Sequence, residues 1–314
     1  MKKVRKLILS LILLGVTAVT FASTTFAFVF MQSQTEIEEF DIQLECEEGL
    51  LISLDGKNFA NIISEVDIKK QIAGSVAAFD KRAYYPVTPA STDNNKIAFD
   101  EDGNVKFKIQ SGNSFVDAQA TDYIKFDLWF KPISAKEVKS TYSLKLDSRT
   151  YFNSEDVTVN LLNKLTAGDT EYNAGDDLII DTSNAMRIGT VEENQSSMTI
   201  YELPNSNDLG SAAIEGSTDI RHDKTKNAMY TYYNSIFPDA PFTEAAPDSD
   251  AYKAIMVSSE DNEITKFAPN AKNEYDAKKI TVYIWLEGWD ADYFFGIPNV
   301  GKNISTKLVF TIVD

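Results

Sequence analysis

The chain contains one histidine, His222, and one cysteine, Cys46, and that scarcity limits its chemistry. A Ser-His-Asp triad would have to use His222, and no Gly-x-Ser-x-Gly turn is present to carry its serine. A Cys46–His222 dyad would need a thiolate, but Cys46 stands among Glu45, Glu47 and Glu48, whose charge opposes ionisation of a thiol. A zinc centre is equally short of ligands, and no His-Glu-x-x-His motif occurs. With a single cysteine an intramolecular disulfide is excluded.

The carboxylates offer more. Asp181-Thr182-Ser183 follows the apolar run Leu178-Ile179-Ile180, as the catalytic Asp-Thr-Gly of an aspartic protease follows a strand. Serine replaces the glycine here, and the second copy needed for a shared proton is missing. The triplet reads as a turn or cap. Asp100-Glu101-Asp102-Gly103-Asn104 opens like a calcium loop, but Val105 stands where an EF-hand needs glycine. Asp100, Asp102 and Asn104 remain calcium candidates at a hairpin tip, beside the plainer reading of an acidic solvated turn. Asp176 with Asp177, and Asp290 with Asp292, raise the same question less strongly. Trp285, Trp289 and Tyr293 cluster around Trp285-Leu286-Glu287-Gly288-Trp289-Asp290. Exposed rings of this kind can stack on a sugar or anchor a partner; an outer-face aromatic covered by a loop is the alternative. No catalytic or cofactor-binding residue is assigned, and the chain reads as a non-enzyme.

The elements that would position these residues begin with an export pattern. Lys2, Lys3, Arg5 and Lys6 precede an uncharged, mostly apolar run from Leu7 to Met31. That order marks a segment carried across a membrane, with the basic end retained inside. Small residues cluster after the Leu-rich part, and Thr25-Phe26-Ala27 fits a signal-peptidase site with cleavage between Ala27 and Phe28. The alternative is an uncleaved anchor through residues 1–31, since the run is long enough to span a bilayer. Either way the body is expected outside the cell, secreted or at its surface. The whole chain has 30 basic against 47 acidic residues, a net charge of −17. Four basic and no acidic residues lie before Phe28, so the remainder is more acidic still. Such a body is repelled by phosphate backbones, which argues against nucleic-acid binding.

Beyond the leader, period-two alternation dominates. Ile124, Phe126, Leu128 and Phe130 fall on one face of Tyr123–Pro132. Tyr142, Leu144 and Leu146 repeat the pattern, as do Val157, Val159 and Leu161. Ile280, Val282, Ile284 and Leu286 form another face, and Leu308, Phe310 and Ile312 the last. Ala185–Val191 and Met198–Leu203 are shorter strand candidates. Asp55-Gly56 and Asp102-Gly103 supply the positive φ of tight turns. Many short strands without βαβ spacing predict an all-β fold, an antiparallel β-sandwich of jelly-roll or immunoglobulin-like type. Helices are expected at Asp67–Val76, Asp223–Phe237 and Ser249–Val257. The last two fall in residues 205–275, read as a partly helical insertion in one domain, residues 28–314.

Thr24-Thr25-Phe26-Ala27-Phe28, with a phenylalanine directly after the expected cut, resembles the signal region of the TasA and camelysin group, secreted proteins of Gram-positive bacteria. Ala185-Met186-Arg187-Ile188, Thr199-Ile200-Tyr201-Glu202 and Ile280–Asp290 resemble blocks of secreted proteins from the same bacterial class. The resemblance covers about a tenth of the chain. It implies a jelly-roll body and, for some members, extracellular fibres of a biofilm matrix. Camelysin's metalloprotease activity does not carry over, because no histidine pair is present to hold a metal.

Two functions of different class follow. The first is a structural or adhesive surface protein that self-associates or binds other surface proteins. Its apolar Phe28-Val29-Phe30-Met31 and the strand-like stretch to Leu44 would complete a neighbour's sheet, and deletion of residues 28–44 should then leave a folded body. The alternative is a monomeric carbohydrate- or ligand-binding module using the Trp285 cluster, with a carboxylate-based secreted hydrolase a distant third.

Overall fold

The computed structural model describes residues 35–72, 82–84, 87–90, 96–111, 114–120, 122–133, 141–161, 164–167, 170–203, 254–257, 262–288, 290, 292 and 302–313. The chain enters through β1 (Thr35–Cys46), β2 (Leu50–Ser53), β3 (Ile62–Ile63) and helix α1 (Glu65–Ile72), then β4 (Arg82–Tyr84), β5 (Val87–Pro89), β6 (Phe107–Ser111) and β7 (Ser114–Asp117). There follow β8 (Ile124–Pro132), β9 (Tyr142–Leu146), β10 (Tyr151–Ser154), β11 (Asp156–Asn160), β12 (Leu165–Ala167), β13 (Thr170–Tyr172) and β14 (Asp177–Asp181). After a 3-10 turn at Thr182–Ala185 come β15 (Met186–Glu192), β16 (Thr199–Glu202), β17 (Ala254–Met256), β18 (Glu263–Phe267), β19 (Lys278–Leu286) and β20 (Lys302–Val313).

Two sheets stack. The first runs β18-β9-β20-β1-β3, with β10 also on β20 and β4 also on β1. The second runs β17-β16-β15-β19-β8-β2. Their facing sides share one core. Ile42, Leu44, Leu308 and Phe310 come from the first sheet, and Ile52, Phe126, Phe130, Ile188 and Val282 from the second. The rings of Phe130 and Phe310 meet across it at 4.7 Å. The alternation in β8 is realised directly, with Ile124, Phe126, Leu128 and Phe130 buried, Lys125, Asp127 and Trp129 half-buried and Lys131 exposed. The fold is all-β, as expected.

A small third sheet, β5-β6-β7, covers the other side of the second sheet. Val87, Val105 and Phe107 pack there against Ile200, Tyr283 and Trp285. The middle of the second sheet is therefore buried on both faces, and β15 is buried from Met186 to Val191. Both Asp-Gly turns put their glycine at positive φ, +70° for Gly56 and +79° for Gly103.

Four expectations change. The sheets are mixed, not purely antiparallel: β1 runs parallel to β20 and β16 parallel to β17. Each of these parallel pairs joins strands far apart in sequence, so no tight hairpin imposes the antiparallel sense. Ser249–Val257 is not a helix over its described part; Ala254–Met256 is an edge strand whose backbone pairs with Ile200–Glu202. The expected insertion therefore ends early, because β17 and β18 belong to the two main sheets. Finally, the described part of the expected donor stretch, residues 35–44, is paired within the chain's own first sheet.

Other elements agree with expectation. Helix α1 begins two residues before Asp67, capped by Ser64, which accepts from the Asp67 amide at 3.4 Å and donates to its carboxylate at 2.8 Å. Asp223–Phe237 lies outside the described residues.

Because Ile42, Leu44 and Cys46 are buried between the sheets, deletion of residues 28–44 is expected to abolish the cooperative unfolding transition. Chemical denaturation followed by near-ultraviolet circular dichroism checks this; a sharp transition in the deletion variant would show that the body folds without β1.

Candidate functional site

Among the described residues, a group of buried charged side chains, Arg187, Glu202, Glu287, Asp290 and Asp292, lies near the third sheet. Alternation along β15 points Met186 and Ile188 into the main core and Arg187 and Gly189 to the opposite face. Arg187 sits opposite Trp285 of β19 and is only 1 % exposed. A guanidinium cannot be left alone at that depth. Its Nη2 lies 2.7 Å from Glu202 Oε1, at the end of β16, and 2.5 Å from Asp290 Oδ2, just past β19. Its Nη1 donates to the carbonyls of Asn184 at 2.8 Å and Met186 at 3.0 Å. Burial opposes the charge, but Glu202, Asp290 and Glu287 outweigh it and hold the Arg187 pKa above its ordinary value.

The surrounding groups extend this network. The Trp285 indole N–H donates to Glu287 Oε2 at 3.0 Å, and Asn184 Nδ2 donates to Asp292 Oδ1 at 3.3 Å. The Asp292 amide donates to Asp290 Oδ1 at 2.9 Å. The Glu287 amide reaches the Ala185 carbonyl at 2.8 Å, and the Gly288 amide reaches the Val87 carbonyl at 3.1 Å, which ties the third sheet to the cluster. Glu202, Glu287, Asp290 and Asp292 are all buried. Among the described residues no group of three or more His, Cys, Asp or Glu side chains is arranged to hold a metal ion. The Arg187 charge joins β15 to the end of β16 and to the segment just past β19, and the Gly288–Val87 backbone hydrogen bond adds the third sheet.

Trp285 is therefore not a stacking platform. The ring is 2 % exposed, with Phe107 edge-on at 5.3 Å, because β6 lies across the face that alternation leaves outward. Trp289 and Tyr293, its expected companions, lie outside the described residues, as do His222, Ala27 and Phe28–Met31.

The calcium candidates form a self-satisfied turn. Asp100 Oδ1 accepts the amides of Asp102 at 3.0 Å and Asn104 at 2.8 Å, and its Oδ2 accepts Asn104 Nδ2 at 3.0 Å. The Lys125 ammonium donates to Asn104 Oδ1. Slight burial works against the Asp100 charge, but the hydrogen bonds from Asn104 and Asp102 and the charge of Lys125 hold its pKa below the ordinary value.

Asp181 is a cap, as its sequence suggested. It accepts the Ser183 amide at 2.8 Å and the Ser154 hydroxyl at 2.6 Å. Cys46 is buried, and burial followed by the charge of Glu45 pushes its thiol pKa up, which leaves it inert.

The network was not singled out from the sequence as a site, although the three resembling blocks carry most of it; Asn184 and Asp292 lie just outside them. Arg187 lies in the first, Glu202 in the second, and Trp285, Glu287 and Asp290 in the third. The available signal was a charged residue between apolar ones in each strand, Met186-Arg187-Ile188 and Tyr201-Glu202-Leu203. The class these features define is an all-β sandwich with a buried ionic cluster. Comparison with known proteins finds no match to the chain among family models, curated proteins or solved structures.

Two outcomes are expected. Arg187→Met strands the buried carboxylates and should cost about 3–5 kcal/mol, read as a lowered urea midpoint. Arg187→Lys should recover only part of this, since one ammonium cannot span the same partners. Asp100→Asn should lower stability at neutral pH. The Asp100 contribution is present above the unfolded carboxylate pKa, about 4, and is lost as pH falls through the depressed folded value. The gap between parent and variant should therefore close on acidification in a denaturation series.

Proposed function

We propose that the chain is an exported protein of the cell surface or extracellular matrix with a structural or adhesive role. The observation that carries this reading is the meeting of the three blocks at one buried ionic cluster. The segments in which the chain resembles secreted Gram-positive proteins form the adjacent strands β16, β15 and β19 of one sheet and supply its buried ionic cluster, which supports a shared architecture and, through it, a shared extracellular use. The basic patch and apolar run of residues 1–31 support export, with signal peptidase as a transient partner.

Self-association is part of the proposal. Residues 35–46 are committed to the chain's own sheet, so donation to a neighbour falls to Phe28–Met31, ahead of β1. The carbohydrate-binding reading loses its support at Trp285, whose ring is covered.

Export of the full chain from a Gram-positive host tests the reading. The expected product is found outside the cell with Phe28 as its N-terminus by terminal sequencing, and forms fibres in electron micrographs. Retention in the cytoplasm with residues 1–27 intact would refute it. Extracellular but dispersed particles would remove fibre assembly and keep the location, and an uncleaved protein exposed on the outer surface would establish the anchored form.

A further inference from the structure

We infer that the parallel pairing of β1 with β20 makes this fold resist tension applied between its two ends, so that the body works as a mechanical link. The chain enters the first sheet at Thr35 and leaves it at Val313. Because the two strands are parallel, these points lie at opposite poles. Nine residues of β1 pair with β20, from Ile37 opposite Lys302 to Cys46 opposite Phe310, with one register shift between Ile37 and Glu39 and eight consecutive pairs after it. At about 3.3 Å per residue the ladder is roughly 30 Å long. A pull on whatever precedes Thr35, against whatever follows Val313, runs along the strands in opposite senses. Every rung is then loaded together, and separation needs all of them to fail at once. An antiparallel pair would bring the two ends to one pole, where rungs open one at a time.

Both strands are held from several sides. β20 is interior, flanked by β1 on one edge and by β10 and β9 on the other. Ile42, Leu44, Leu308 and Phe310 anchor the pair in the core. Lys307 bridges to Glu45 across the ladder at 2.5 Å. The far pole is stitched further: the Glu47 amide donates to the Phe310 carbonyl at 3.0 Å, while the Thr311 hydroxyl and Arg149 both donate to the Glu47 carboxylate. Arg149 also pairs with Asp147 at 2.6 Å, whose amide donates to the Val309 carbonyl at 2.8 Å.

The resistance stands on this topology; its use at a cell surface rests on the reading proposed above. The two fail separately, since force is measured on purified protein and export in cells.

Single-molecule force spectroscopy on the full chain tests the inference. In one geometry the handles are at the N- and C-terminal ends. In the other, a thiol handle at Glu48→Cys replaces the N-terminal handle. Glu48 is exposed in the turn after β1, at the same pole as the end of β20, so this pull unzips the pair. Buried Cys46 does not compete for labelling. The expected unfolding force is several-fold higher in the first geometry at equal loading rate. Equal or lower force there would overturn the inference. If Glu48→Cys disturbs the fold, the N-terminal handle is kept and the C-terminal one is moved to Lys302→Cys, opposite Ile37 at the pole where β1 begins, so that this pull also unzips the pair.

Discussion

The structure depends on a guanidinium that has no access to water. Arg187 sits between two layers, and its charge is compatible with folding only if carboxylates come to it. Those carboxylates are distant in sequence: Glu202 ends the next strand of the sheet, and Asp290 follows a strand nearly a hundred residues later. Their approach fixes where β16 stops and where the chain turns after β19. The same turn delivers Glu287 to the Trp285 indole and Gly288 to the third sheet. One buried charge thus joins β15, the end of β16 and the segment just past β19. Specification of a unique arrangement is the use such a cluster serves best, since apolar residues of equal volume would supply at least as much stability.

Close packing around this cluster explains a residue that alternation alone would not. Gly189 follows Arg187 on the same outward face of β15, where a β-carbon would come within 2.6 Å of Met198 Sδ and 3.0 Å of the Trp285 ring. With glycine there, Met198 and the Trp285 ring can both lie close to the β15 backbone. Phe107 then meets the indole edge-on, and is itself packed by Tyr123 and Tyr283, with ring centroids 4.4 Å and 5.8 Å from its own.

Much of the fold was legible in the sequence, because the strands that carry it obey a local rule. The inward faces of β8, β19 and β20 follow from period-two alternation, and Gly56 and Gly103 follow from turn chemistry. What was not legible depends on distance. The parallel pairing of β1 with β20 joins the two ends of the described chain, and no local pattern reports it. Trp285 offered itself as a ligand platform because alternation tells which residues share a face, not whether that face is covered; the answer lay in Phe107, far away in sequence. Ser249–Val257 has helical spacing of apolar residues at Ala251, Ala254 and Ile255, yet over Ala254–Met256 pairing with the edge of β16 overrides it. For the buried cluster, the signal was present as lone charges inside apolar strands. Pairing Arg187 with Glu202 and Asp290 needed the fold.

The most direct measurement of this account is a double-mutant cycle between Arg187 and Asp290, using Arg187→Met, Asp290→Asn and the combination, with stability from urea unfolding at neutral pH. If the cluster organises the fold, the two changes are strongly non-additive, with a coupling energy within about 0.5–3 kcal/mol and the double variant more stable than Arg187→Met alone. Additive losses, with coupling near zero, would contradict it and would show that the buried charges are tolerated individually.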